Sequence, residues 1–486
     1  MLRAERLIAP LPSVAGHRQS LQSRKSGEIR LILVIALIHI PLGLFLYSAP
    51  SLALIHPVAA FLVGMYWAVR KRYGLDRVAL AAGYIIGAEV LWRMAHVPIY
   101  WEFGKYGMAA IMITALIMRR QYTLPAGPLI YGLLLIPACF ITLAVFEMKA
   151  AAGFLSADMS GPFALVIGCW FFSKTELNVR QLQRLIYTVV IPLLSVAFVT
   201  LFYTVSLDNI QFTTESNFAT SGGFGPNQVS SMLGLGVFIS ASCIILFKNG
   251  RLFQIVLGTM ALLFSAQSVM TFSRSGIYNA VGAMAVLLIF HFQNLADGLK
   301  RIVPIAVLVV AFFWFVFPMI NNFTGGKLEE RFTETNTTNR MDIIWSDLEI
   351  FVENPVFGVG VGVSRNYRER YLSYSSASHT EFSRLISEHG SLGLAAVFVL
   401  IAMTVINLKR HRSILHRALV MGVSMWCILY MLNAGMRLAA PSFLWGLTFV
   451  TVVGNHSKRR RISGPSESCP KQNRLVVNEV IPQPES

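Results

Sequence analysis

The side chains most suited to chemistry lie in one polar segment, residues 376–390. His379 falls in the first turn of a helix that Ser378 is suited to begin and Gly390 is suited to end. The positive end of a helix disfavours an imidazolium ion, so we expect His379 to be neutral. A neutral imidazole can accept a proton as a general base. We therefore predict His379 as a catalytic residue, with an ordinary capping or surface histidine as the alternative.

Charged side chains share one face of the same predicted helix. Glu381, Arg384 and Glu388 are spaced three and four residues apart, and residues at these spacings are neighbours on a helix. Arginine is suited to planar, bidentate binding of phosphate. We therefore predict Arg384 and Glu388 as substrate-binding residues.

Two arginines lie close to apolar stretches, where an unpaired cation is costly. Arg93 follows Glu89 by one helical turn, so an internal ion pair and a ligand contact both stay open for it. Arg274 has no acidic residue nearby in the sequence, which favours an anionic ligand. Arg340, in a long polar stretch further along the chain, is another candidate for anion binding.

Apolar helices must position these residues. Hydrophobic residues make up 55% of the 486-residue chain and charged residues only 13%, against roughly 25% charged residues in a soluble domain. Stretches such as 31–46 and 302–320 hold almost no charge. At about 1.5 Å per residue, they approach the thickness of the bilayer core. The pattern predicts an all-α fold, a polytopic transmembrane helical bundle of about 12–14 spans.

The spans should alternate between the two sides of the membrane. We predict them at 30–48, 52–69, 77–95, 105–119, 126–146, 161–173, 184–205, 227–247, 252–272, 275–291, 302–320, 391–407, 416–434 and 441–454. The stretch 161–173 is short and is open to a re-entrant path. Lys and Arg collect in alternate loops, which is typical of the cytoplasmic side. Both termini are therefore expected in the cytoplasm, with 1–29 as a basic tail and 455–486 as a disordered tail.

One loop on the opposite side breaks this charge pattern. It spans about 321–390 and holds seven basic residues where basic residues are normally scarce. Acidic residues are also frequent in it, so most of these charges are expected to form a solvated surface. The net charge of the chain is +17. Its basic residues do not form a face with interleaved aromatic residues, so we predict no nucleic-acid partner.

The cysteines favour neither a disulfide framework nor a metal site. Four of the five lie in apolar spans, the fifth lies in the C-terminal tail, and no two form a Cys-x-x-Cys pair. The sequence also contains no Asp-x-Asp motif. We therefore predict no metal and no other cofactor.

Short motifs in the second half of the chain have a recognisable order and spacing. They are Gly222-Gly-Phe-Gly-Pro-Asn227; Thr271-Phe-Ser-Arg-Ser-Gly276; Arg340-Met-Asp-Ile-Ile-Trp345 with Asn354-Pro-Val-Phe-Gly-Val-Gly360; and His379 through Glu388-His-Gly-Ser-Leu-Gly-Leu394. Together they resemble the O-antigen ligase and polymerase family of bacterial membrane enzymes. The chain departs from the family in one place, because Thr380 stands where many members carry Asn after the histidine.

The resemblance implies a GT-C-like bundle that transfers glycans. Such enzymes take a glycan from undecaprenyl diphosphate at the periplasmic face of the inner membrane and join it to lipid A-core or to another carrier-linked glycan. His379 would activate the acceptor hydroxyl, while Arg274 and Arg340 would stabilise the departing diphosphate. Direct displacement would invert the anomeric centre without a metal. The implied site residues are His379, Arg274, Arg340, Arg384, Glu388 and Asn227.

Other functions stay open from sequence alone. A transporter would carry ionisable residues inside its spans, and Glu89 with Arg93 is the nearest case. A structural partner in an envelope assembly would need no chemistry. A ligase and an exopolysaccharide polymerase are not separated by the motifs, because the two share a donor and differ in the acceptor.

Overall fold

Most of the chain is helical, as its long apolar stretches predict. A computed structural model describes residues 14–208, 210–247, 250–292, 295–334, 340–372, 378–410 and 413–453, with side chains from residue 30 onward except 295–301. The predicted tail 455–486 lies outside the described residues, as do the first thirteen residues of the predicted tail 1–29.

The first part of the chain forms eight helices and one strand among the described residues. They are α1 (Val14–Ser48), α2 (Pro50–Ala53), α3 (Ile55–Val69), α4 (Leu75–Met94), α5 (Phe103–Met118), α6 (Ala126–Val145), α7 (Met148–Ser173), β1 (Glu176–Asn178) and α8 (Val179–Val205).

The second part begins with a short 3₁₀ helix, Ala219–Ser221, and contains a π-helix, Phe312–Val316. Its other described elements are α9 (Pro226–Leu246), α10 (Arg251–Met270), α11 (Ser275–His291), α12 (Leu295–Ala311), α13 (Phe317–Phe323), α14 (Lys327–Thr333), α15 (Arg340–Glu353), α16 (Ser364–Arg368), α17 (Glu381–Arg410), α18 (Ile414–Ala434), α19 (Ala440–Leu447) and β2 (Thr451–Val453).

The chain is a multi-pass membrane protein. Ten helical segments of the described chain are long and apolar enough to cross a bilayer, and two further apolar helices, α5 and α11, are shorter. The all-α, polytopic bundle predicted from the sequence is confirmed.

Three predicted spans have a different local structure. The stretch 77–95 forms α4, which is buried along most of its length and is not among the ten apolar segments. The short stretch 161–173 belongs to the 26-residue helix α7. The span predicted at 441–454 is wrong, because α19 has eight residues and rises only about 12 Å. The chain then forms β2, which pairs in parallel with β1.

The bundle packs most closely where glycines remove side chains between helices. Helix α9 meets α11 at Gly234 and Gly276, and a Cβ atom at either position would overlap the backbone of the other helix. The Oγ atom of Ser230 accepts the N–H of Gly276 at 3.2 Å. The small residue after Ser275 therefore lets the start of α11, and Arg274 before it, lie directly against α9.

Helix α17 is broken at Gly390, where φ is 63° and ψ is −141°. The break releases two backbone carbonyl groups from the helix. That of Ser387 accepts the N–H of Val359 at 3.1 Å, and that of Glu388 accepts the N–H of Gly360 at 3.0 Å. The Asn-Pro-x-x-Gly-x-Gly motif is thus held on α17 by main-chain hydrogen bonds.

The contact leaves no room for a side chain on either backbone. A Cβ atom at Gly358 (φ 69°) would overlap the main chain of Glu388, and one at Gly390 would lie 2.7 Å from the carbonyl group of Val356. The N–H of Ser391, free of the helix, donates to the carbonyl oxygen of Pro355 at 2.7 Å. Gly358 and Gly390 therefore allow the loop that precedes α16 to pack directly against the backbone of α17.

Replacement of Gly390 should weaken this contact. Gly390→Ala places a side chain in a backbone region that costs on the order of 1–3 kcal/mol and adds the overlap with Val356. We expect a lower free energy of unfolding, measured in mixed micelles. Gly153→Ala is the matched control, because a Cβ atom there meets nothing within 4 Å and alanine favours the helix. Equal effects of the two substitutions would contradict the close contact.

Candidate functional site

Arg384 lies buried between two carboxylates on the first turns of α17. Its Nη1 donates to Glu388 Oε2 at 2.6 Å and its Nη2 donates to Glu381 Oε1 at 2.5 Å. Nη2 also donates to the carbonyl oxygen of Asp158 at 3.2 Å. The face predicted from sequence is therefore an ion triad, Glu381–Arg384–Glu388, in which one buried guanidinium pairs with two carboxylates.

The ion triad continues into the polar loop through two more side chains. Ser364 Oγ donates to Glu388 Oε1 at 3.0 Å, and Arg368 Nη2 donates to Ser364 Oγ at 2.9 Å. Arg368 Nε in turn donates to Asp347 Oδ1 at 2.8 Å. The chain of hydrogen bonds connects α15, α16 and α17 at one end of the bundle.

Asp347 also fixes the residues next to His379. Its Oδ2 accepts from Ser378 Oγ at 3.1 Å and from Ser383 Oγ at 2.6 Å. Thr380 Oγ1 accepts the N–H of Ser383 at 3.2 Å, so Thr380 provides the capping contact expected of Ser378. Helix α17 begins at residue 381, and His379 therefore precedes its first turn. Thr and Asn are both favoured helix caps, which explains the residue found here in place of Asn.

Charged side chains also hold the backbone between α18 and α19, here called the 435–439 turn. Glu381 Oε2 accepts the N–H of Met436 at 3.1 Å, and Lys105 Nζ donates to the carbonyl oxygen of Met436 at 3.2 Å. Lys105 is fully buried and its charge is paired with Glu102 at 2.6 Å. The turn is thus bound to α5 and α17 through its main chain.

Helix α4 holds the rest of the 435–439 turn. Arg93 Nη2 donates to the carbonyl oxygen of Arg437 at 3.1 Å, and Glu89 Oε2 accepts the N–H of Ala439 at 2.7 Å. Arg93 and Glu89 form the ion pair that their spacing allows, at 2.7 Å. The buried charges of α4 therefore fix the chain that precedes α19.

These networks surround a polar cavity of about 1090 Å³, including the space open to solvent. Five arginines line it: Arg93, Arg365, Arg368, Arg384 and Arg437. Four acidic residues line it as well: Glu102, Asp158, Glu381 and Glu388. The polar cavity is therefore a place where a hydrophilic ligand meets many charged groups.

A second group of cations, here called the arginine cluster, consists of Arg274, Arg331 and Arg340. Burial and the neighbouring guanidinium of Arg274 lower the pKa of Arg331. Burial, then Arg331 and Arg274, lower the pKa of Arg340. The nearest atoms of Arg331 and Glu334 in their ion pair are 3.9 Å apart. Like charges at this proximity repel one another, and a bound anion would relieve the repulsion.

The turn before α11 positions Arg274. Phe272 has a left-handed φ of 57°, and Ser230 Oγ donates to the carbonyl oxygen of Ser273 at 2.9 Å. Ser273 Oγ donates to Asn227 Oδ1 at 2.7 Å. Asn227 thus supports the turn that carries Arg274.

His379 is half-buried and directly follows Ser378, which lines the polar cavity. Burial, followed by the positive charges of Arg340, Arg437 and Arg368, lowers its pKa to about 4. Arg340 belongs to the cluster, whereas Arg437 and Arg368 line the cavity. The imidazole is therefore neutral at pH 7, as predicted, but through burial and neighbouring arginines in addition to any helix dipole.

The predicted site residues thus occupy three neighbouring places. Arg384 and Glu388 line the polar cavity; Arg274 and Arg340 belong to the arginine cluster; His379 follows the cavity-lining Ser378 and Asn227 supports the turn.

Three residues of this region were missed as site residues by the sequence reasoning. Arg331 looked like an ordinary loop cation, and Arg437 stood out only as a basic residue near a span end. Gln228, one residue after the predicted Asn227, lines the cavity and accepts from Arg93 at 3.2 Å. Only the folded chain brings them together.

The comparison with known families agrees with the motifs. Residues 259–398 match the family model described as O-antigen ligase. Over these residues the chain is similar to the O-antigen ligase family. The O-antigen ligase family implies a glycosyltransferase- or ligase-type membrane enzyme that acts on polyprenyl-linked glycans. The match contains all the predicted site residues except Asn227. No curated protein matches the chain.

The buried pair of Asp347 and Arg368 should contribute strongly to stability. Asp347→Ala leaves Arg368 buried without its carboxylate, and we expect a loss of about 3–5 kcal/mol in the free energy of unfolding. Glu330→Ala is the control, because the Lys327–Glu330 pair is similarly short, 2.6 Å, but its side chains are 43% and 54% exposed. That change should cost less than about 1 kcal/mol. Similar losses in equilibrium unfolding would contradict the structural role of the buried network.

Proposed function

We propose that this chain transfers a glycan from undecaprenyl diphosphate to a hydroxyl group of an acceptor. The proposal is carried by His379, which follows the cavity-lining Ser378 and is close enough to Arg340 of the arginine cluster for that charge to lower its pKa. In one step the acceptor oxygen bonds to the anomeric carbon, and the bond from that carbon to the phosphate oxygen breaks. The proton goes to His379, the carrier leaves as its diphosphate, and the anomeric centre inverts without a metal.

The arginine cluster is the proposed site of the donor's diphosphate. Arg274, Arg331 and Arg340 repel one another in the free protein, and a diphosphate supplies the negative charge that offsets this repulsion. Charge develops on the leaving phosphate oxygen as the glycosidic bond breaks. Guanidinium groups already fixed around that oxygen stabilise the transition state more than the bound donor.

An apolar pocket beside the cluster suits the isoprenoid tail of the donor. It has a volume of about 720 Å³ and lies between α9, α10, α11 and the segment of α12 with the π-helix. Its lining includes Ile277, three residues after Arg274, and Phe312 of the π-helix. Ile302–Phe323 forms the outer wall of the pocket, and no residue in the most apolar part of this segment is buried inside the protein. A lipid can therefore reach the pocket sideways from the bilayer.

His379 is the proposed general base. Its low pKa in the free protein keeps it neutral, and Arg340, one of the arginines that lower this pKa, is also expected to bind the donor. Negative charge from the bound diphosphate offsets the guanidinium groups and raises the pKa of His379 toward neutrality. The imidazole thus becomes a stronger base when the donor is in place.

The proposed location follows from the charge of the loops. With both termini in the cytoplasm of the cell, the end of the bundle that carries His379 faces the periplasm of the inner membrane. The acceptor is lipid A-core for a ligase and another carrier-linked glycan for a polymerase. Both use the same donor site.

Removal of the imidazole should abolish transfer. With purified protein, carrier-linked glycan and acceptor, His379→Ala should lower the kcat for release of undecaprenyl diphosphate by about 100-fold or more, with little change in the donor KM. Arg274→Gln should raise the donor KM, because it removes a diphosphate contact. Arg370→Gln, an exposed cation stacked on Tyr367 and outside the cavity lining, is the control.

Wild-type turnover by His379→Ala would overturn the proposed mechanism. Movement of the carrier-linked glycan across vesicles without any glycosyl transfer would overturn the proposed class of activity in favour of transport.

The pH dependence should report the charge around His379. Because only neutral His379 accepts a proton, kcat/KM should fall as the pH approaches about 4 from above. Arg340→Gln removes a cation that lowers this pKa. In the activity that remains, the fall of kcat/KM at low pH (the acid limb of the pH profile) should therefore occur at a higher pH. Arg370→Gln should leave the limb in place. An acid limb unchanged by Arg340→Gln would show that another group titrates.

A further inference from the structure

Most charged side chains that line the polar cavity already form ion pairs within the protein. Each lining charge that is less than a tenth exposed has an opposite charge within 2.8 Å. These pairs are Arg93–Glu89, Glu102–Lys105, Arg368–Asp347 and Arg384 with both Glu381 and Glu388. Such pairs hold the walls and have little capacity left for a ligand.

Two cations of the lining differ from these. Arg365 and Arg437 are exposed, and within the described ranges no carboxylate forms an ion pair with either. The lining acids, by contrast, are buried, apart from half-buried Asp158. A ligand that enters the cavity therefore meets free guanidinium groups first.

Arg437 is also held in a fixed place. Arg93, Glu89, Lys105 and Glu381 bind the main chain of the 435–439 turn, as described above. The Nη2 atom of Arg437 donates to the carbonyl oxygen of Ser378 at 3.1 Å, directly before His379. A cation held in this way loses little freedom when it binds an anion.

The remaining accessible groups suit a sugar. Trp101 is 56% exposed, and its indole ring packs against the guanidinium of Arg93 at 4.8 Å. An exposed indole can pack on the C–H face of a pyranose ring. Gln228 and the half-buried Asp158 supply amide and carboxylate groups that can bind neighbouring hydroxyl groups.

We propose that the polar cavity is a subsite for an acidic saccharide, whose carboxylate or phosphate group binds to Arg365 and Arg437. Resting on the proposed function, the inference assigns this saccharide to the acceptor, because the donor diphosphate is proposed to bind at the arginine cluster, which does not line this cavity. An acidic group held by Arg437 would bring the acceptor's sugar close to the base.

Direct binding tests the subsite without turnover. The probe is a tetrasaccharide of alternating glucuronic acid and N-acetylglucosamine, compared with its carboxyl-reduced form, on the full chain in nanodiscs. Saturation-transfer NMR should give a Kd about tenfold or more lower for the acidic form, as expected for charge-assisted hydrogen bonds. Arg365→Gln and Arg437→Gln should each raise this Kd about tenfold, and Arg370→Gln should leave it unchanged.

Competition identifies the acidic group. If inorganic phosphate displaces the probe at a lower concentration than acetate does, the natural saccharide carries a phosphate group. If acetate displaces it at the lower concentration, the saccharide carries a carboxylate group. Equal affinity for the acidic and reduced probes, wild-type binding by both arginine variants, or no binding of either probe would overturn the subsite. These outcomes leave the His379→Ala transfer assay unaffected, so failure of the subsite and failure of the proposed transfer are distinguishable.

Discussion

A buried charge in a membrane bundle needs a partner, and the rest of this end of the molecule is organised around that requirement. Arg384 satisfies it with two carboxylates of its own helix. Arg93 and Glu89 satisfy it together on α4, and both have atoms left to bind the main chain near Arg437. The same groups that neutralise one another thus connect helices that are hundreds of residues apart in sequence.

Two other groups of cations lie at the same end of the molecule. In the arginine cluster, burial and the neighbouring guanidinium groups lower the pKa values of Arg331 and Arg340. In the polar cavity, Arg365 and Arg437 remain exposed while the acids are mostly buried. His379 is close enough to arginines of both regions for their charges to lower its pKa. The proposed transfer, from an anionic donor to a polar acceptor, would need a base in such a place.

Part of this arrangement is visible in the sequence, because it depends on local spacing. The apolar stretches predict the helical bundle. The spacing of three and four residues around Arg384 predicts that Glu381, Arg384 and Glu388 share the helix face on which they form the ion triad. The rest depends on distant contacts. The stretch 441–454 is as apolar as a span, and only its packing explains the short helix α19. The turn that presents Arg437 is held by main-chain contacts to α4, 344 positions away, which no residue pattern reveals.

The 435–439 turn has a consequence for how this protein can change over evolution. Four side chains of other elements bind its peptide groups, so its backbone does not depend on the side chain at position 437 alone. Gly435, with a φ of 59°, is the position where the backbone itself restricts the choice of residue. Arg437 can therefore be exchanged while the scaffold persists. A lineage, or a designer, can alter the charge that the polar cavity presents by changing one residue on an unchanged support.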